Sequence, residues 1–66
     1  MNELVVTIKG DGWFYYPTTA NNAATAYLNF KNAMTFLNIN DDNIEYKKAI
    51  LRDANGEEID EIKISE

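Results

Sequence analysis

Two turn dipeptides, Asp11-Gly12 and Asn55-Gly56, stand near opposite ends of a chain of 66 residues, each between runs rich in strand-forming side chains. Asp-Gly in that position is a strong hairpin signal, because a two-residue type I′ turn needs φ > 0 at both central residues. The first hairpin therefore joins residues 4–8, a β-branched run, to the aromatic block Trp13-Phe14-Tyr15-Tyr16, and Pro17 ends it because proline donates no ladder bond. The second joins residues 44–52 to residues 57–64 around Asp53-Ala54-Asn55-Gly56, a type I turn closed by Gly56 in the left-handed bulge position.

Between the hairpins the period changes. Ala23, Tyr27, Phe30, Met34 and Leu37 recur at spacings of four, three, four and three, the stripe of an amphipathic helix spanning residues 20–37. Thr18-Thr19 is its expected N-cap pair and Asn38 its left-handed terminator, with Ile39 beyond. The fold class expected is α+β: a single domain over residues 1–66, β-β-α-β-β in order, with an antiparallel or mixed sheet and one helix packed on one face.

Register decides which side chains that helix covers. A two-residue Asp11-Gly12 turn pairs positions summing to 23, which sends Trp13 and Tyr15 beneath the helix with Leu4, Val6 and Ile8. Phe14 and Tyr16 then look out of the opposite face. A three-residue turn would exchange the two pairs, since a slip of one residue reverses every side chain. In the second hairpin, pairing Asp53 with Glu57 makes partners sum to 110, and regular alternation puts Ile44, Tyr46, Ile50, Ile62 and Ile64 under the helix with the stem of Lys48. On these registers the uncovered face carries Val5, Phe14, Tyr16, Ala49, Leu51 and Ile59, an expected interface, because contiguous exposed apolar side chains mark interaction sites.

Chemistry is constrained mostly by what the sequence lacks. There is no cysteine and no histidine, which removes disulfides, thiolate zinc sites and the commonest general base. No catalytic residue, cofactor site or metal site is expected, and the chain is read as not an enzyme. The run Asp53-Ala54-Asn55-Gly56 has the middle of a calcium-loop pattern, but Leu51 would occupy the first ligand position and the distal Glu is misplaced. Asp41, Asp42 and Glu45 are read as solvated carboxylates. Gly10 and Gly12 precede a strand, so they form no phosphate loop.

Charge is uneven. Residues 1–40 are neutral, whereas residues 41–66 hold the whole net charge of −5. Glu57, Glu58, Asp60 and Glu61 are the expected acidic surface for a basic partner. High Asn, Ile and Tyr content with a single Arg fits an AT-rich genome such as that of a low-GC bacterium, its phage or another mobile element. No secretory signal is expected at the N-terminus and no apolar run has membrane-spanning length, so the expectation is a cytoplasmic protein with no membrane partner.

A chain this short buries only about 60% of its unfolded surface, so a partner subunit is a natural source of extra core. The leading functional expectation is a small acidic interaction module that forms a homo-oligomer, a dimer in preference, through the open sheet face. It would serve as a phage or mobile-element accessory or inhibitor protein meeting a basic partner. The alternative is a single-stranded nucleic-acid binder using strand aromatics as a stacking platform, disfavoured by the negative net charge.

Overall fold

The computed structural model describes residues 1–10 and 12–65. Four strands and one helix follow in the order β1 (Asn2–Ile8), β2 (Trp13–Thr18), α1 (Ala23–Phe36), β3 (Tyr46–Arg52) and β4 (Glu58–Lys63). The sheet is wholly antiparallel with spatial order β2-β1-β3-β4. Two local hairpins are thus joined edge to edge along β1 and β3, and the helix crosses one face, touching all four strands. The expected α+β architecture is present. β2 continues through Pro17 to Thr18, which an edge strand permits because its outer side has no ladder to interrupt.

The helix starts later than the threonine pair suggests. Thr18 is a buried strand residue whose Oγ1 accepts from the Ala20 N–H at 3.2 Å. Asn22 is the N-cap, its Oδ1 accepting from the Thr25 N–H at 2.8 Å. A second first-turn donor, the Ala23 N–H, is taken by Asp60 Oδ2 of β4 at 2.6 Å, so strand and helix supply each other's needs. At the far end Asn38 takes φ 57°, with Asn38 N–H bonded to Thr35 O and Ile39 N–H to Met34 O. Those paired bonds make a Schellman cap around the left-handed Asn38. Leu37, expected in the buried stripe, is the C-cap and is exposed.

Beneath the helix lie Leu4, Val6, Ala49 and Leu51, all without accessible surface. Ala23 and Ala26 are equally buried, small enough to bring the helix backbone close to the sheet. Phe30 then fills the centre. Its ring meets Phe14, Tyr16, Tyr27 and Tyr46 at centroid separations of 6.0, 5.9, 6.2 and 5.9 Å. Aromatic pairs at such separations contribute about 0.5–1.5 kcal/mol each beyond the area they bury.

Register departs from the regular expectation at three places. In the first hairpin, Thr7 pairs with Trp13 and Ile8 N–H donates to Gly12 O at 3.2 Å, so the connection holds three residues, with Gly10 at φ 95°. The expected Asp11-Gly12 turn includes Asp11, which lies outside the described residues. In β3, Thr7 faces Lys48 but Ile8 faces Tyr46, leaving Lys47 as an extra bulge residue. In β4, Arg52 faces Glu58 but Leu51 faces Asp60, leaving Ile59 extra. Each of the three changes shifts the alternation by one residue, and so exchanges the faces of everything beyond it.

Candidate interaction surface

The open face is a grid three rows deep across β2, β1, β3 and β4. One row is Pro17, Glu3, Arg52 and Glu58; the next is Tyr15, Val5, Ile50 and Glu61; the third is Trp13, Thr7, Lys48 and Lys63. Asp60 reaches the helix N-terminus, and Ile59, the extra residue of the β4 bulge, is 47% exposed. Trp13 and Tyr15 are 58% and 54% exposed and meet edge to face at 6.4 Å. Among the described residues no element covers them.

The expected interface set is therefore divided. Val5 lies on the open face, and Ile59 is exposed at the β4 bulge. Phe14, Tyr16, Ala49 and Leu51 do not: Val6 pairs with both Phe14 and Ala49, Leu4 with both Tyr16 and Leu51, and all of these are on the helix side. The correction has two causes, the three-residue connection in the first hairpin and the Lys47 bulge in the second. By the same causes Trp13, Tyr15, Ile50 and Lys48, expected under the helix, belong to the open face. Tyr46, Ile44, Ile62 and Ile64 do pack with the core.

The acidic quartet disperses as well. Glu57 is in the turn, where its N–H donates to Asp53 Oδ1. Glu58 lies opposite Arg52. Asp60 holds the helix N-terminus, and Glu61 pairs with Lys48 at 3.2 Å on the open face. These four carboxylates share no common surface. The Asp53 turn takes the expected hairpin form, with Asp53 Oδ1 accepting from Asn55 N–H and Gly56 at φ 85°.

Electrostatics on the open face are balanced by design of the register. Glu3, Glu58 and Glu61 stand against Arg52, Lys48 and Lys63. Arg52 Nη2 donates to Glu3 Oε1 at 2.6 Å while its guanidinium lies 5.7 Å from the Tyr15 ring centroid. Donation to that carboxylate raises the guanidinium pKa, so Arg52 stays charged throughout the accessible range. A neutral, partly aromatic face thus sits on a chain of charge −5.

The remaining polar cluster is a tie between helix and sheet. Lys31 and the Tyr46 hydroxyl both donate to Asp41 Oδ2, the latter at 2.8 Å, and Lys31 Nζ lies 4.8 Å from the Tyr46 ring centroid. These bonds, that from Lys31 first, hold the Asp41 carboxyl below its ordinary value of 3.8. Burial, then the bond to Asp41, pushes the Tyr46 hydroxyl upward. Glu45 pairs with Lys9. Among the described residues no group of three or more acidic side chains is placed to hold a metal ion, and no helix is long and apolar enough to cross a membrane. Comparison with protein-family models, with curated proteins and with solved structures finds no match to this chain.

Proposed function

We propose that this chain is a non-enzymatic interaction module that self-associates as a dimer through the open face of its sheet. The observation that carries the reading is the uncovered set Trp13, Tyr15, Val5, Ile50 and Ile59, framed by Glu3, Glu58 and Glu61 against Arg52, Lys48 and Lys63, with Lys47 at one end. Two features favour a second copy as the occupant. The molecule extends 31 × 26 Å along its two longer axes, a footprint large enough to hold the roughly 800 Å² that each partner contributes to a standard interface. A face whose acids are matched or exceeded by bases also lets two copies of a −5 chain meet while their surplus acids stay on the outside.

Sedimentation equilibrium tests the reading directly. A dimer is expected, with Tyr15→Ser combined with Ile59→Ser weakening association at least about tenfold, a loss on the scale of one hot-spot side chain. Phe14→Ser, on the covered face, should act on folding instead. A monodisperse monomer at millimolar concentration would overturn the proposal.

A further inference from the structure

The end of the open face beside the first hairpin has a second character. Lys48 and Lys63 are direct cross-strand partners, and Lys47, the extra residue of the β3 bulge, is their immediate neighbour. Like charges directly opposite each other destabilise a ladder. A chain with only six cations has nonetheless brought three of them together here. All three line a shallow groove of about 890 Å³ with Trp13 at its side; Gly10 and Gly12 contribute rim without side chains, and Glu61 is the acidic residue among the described lining. Lys48 is paired with Glu61, whereas Lys47 and Lys63 have no ion-pair partner among the described residues.

Clustered ammonium groups ask for an anion, and an indole more than half exposed asks for a flat apolar partner. A carboxylate peptide meets the first demand and leaves the second. A nucleotide unit meets both, with phosphate among the lysines and base against the ring, the combination by which single strands are held without sequence preference. From the row Trp13, Thr7, Lys48 and Lys63 and the adjoining Lys47 we infer that this groove binds a nucleotide unit, its base stacked on Trp13 and its phosphate held by Lys47 and Lys63. The net negative charge of the chain does not oppose this locally, because the acids lie mostly on other surfaces and a groove responds to the charges that line it.

Trp13 is the only tryptophan, so its emission, read at a protein concentration low enough to keep the chain monomeric, reports on this groove. The probes are an eight-residue oligothymidylate and thymidine monophosphate. Saturable quenching is expected, and for the oligomer with about three phosphate contacts the affinity should fall roughly twentyfold between about 50 and 200 mM salt. Lys47→Glu and Lys63→Glu should each weaken binding at least about tenfold. Lys63→Glu should at the same time raise the melting temperature, since it relieves the repulsion with Lys48; a merely structural lysine would not show loss of binding with gain of stability. Quenching by both probes assigns the groove to free nucleotides, and quenching by the oligomer alone assigns it to a strand. No quenching by either at about 1 mM, or binding indifferent to salt and to both charge reversals, overturns the inference. Tyr15→Ser with Ile59→Ser, outside the groove lining, separates this test from that of self-association: the dimer shares Trp13 with the groove, so the double variant should weaken association at least about tenfold while leaving oligonucleotide binding in place or strengthening it.

Discussion

The two faces of the sheet are written on the same strands, and β1 treats them almost alike: Leu4 and Val6 look one way, Glu3, Val5 and Thr7 the other. The aromatic run of β2 is shared evenly too, Phe14 and Tyr16 against Trp13 and Tyr15. The difference lies in β3 and β4. Under the helix they present Ala49, Leu51 and Ile62, side chains that let a helix approach closely, while on the open side they present Lys48, Ile50, Arg52, Glu61 and Lys63. A sheet face is assigned to core or surface by its neighbours across the ladder, and apolar content along one strand does not settle it.

The sharpest way to break this comparison is at β3, where adjacent residues answer to different faces. Leu51→Ala, at a site without accessible surface, should cost about 2–5 kcal/mol, whereas Ile50→Ala should cost about 1 kcal/mol. Denaturant titration of the two variants checks it, and equal losses would mean that the open face is packed as tightly as the covered one. The same contrast inside the aromatic run is smaller. Phe14→Ala, 36% exposed but in contact with the Phe30 ring, should lose about 2 kcal/mol, and Trp13→Ala less than about 1 kcal/mol. Thermal melts at a concentration low enough to keep the chain monomeric give the readout.

Asp60 belongs to β4 yet serves the helix, so Asp60→Ala should cost about 1 kcal/mol through the loss of a first-turn partner, with Glu61→Ala on the other face near neutral. Least in size is a dependence on acid. The Asp41 carboxyl titrates lower in the folded chain than its ordinary value of 3.8, so the stability it adds is fully present above that pH and is lost as pH falls through the folded value. Denaturation midpoints followed from about pH 7 to about pH 2 should show a gap between the protein and Asp41→Asn that is constant above about pH 4 and closes below it.

Element order was legible from the residues, because period and turn chemistry report it locally: the stripe from Ala23 to Met34, the Asn55-Gly56 turn and the left-handed Asn38 all stand where the pattern puts them. The faces were not legible. Face assignment is a matter of parity, and one uncounted residue at Lys47, at Ile59 or in the first hairpin reverses it. None of these has a side chain that announces a bulge. A clue did exist in β3, where Tyr46, Ala49 and Leu51 share a side at spacings of three and then two, but Ile50 offered an equally apolar regular reading. The N-cap failed for a related reason: Asn22 and Thr18-Thr19 are both good caps, and only the length of β2 chooses between them. The groove lysines were visible as residues but not as neighbours, since Lys63 meets Lys48 only once the Ile59 bulge has moved the ladder.

The line where β1 meets β3 carries a consequence for the integrity of the chain. Each hairpin is complete within its own half, and the ladder uniting them joins residues from opposite halves, Ile8 with Tyr46 at its near end and Glu3 with Arg52 at its far end. A break in the exposed turn after the helix severs no ladder bond. Fragments 1–40 and 41–66 should therefore reassemble when mixed and recover the far-UV spectrum of the intact protein, at a concentration set by that ladder together with the helix contacts to β3 and β4. Between two intact copies the same logic permits trading second hairpins, each closing the other's sheet.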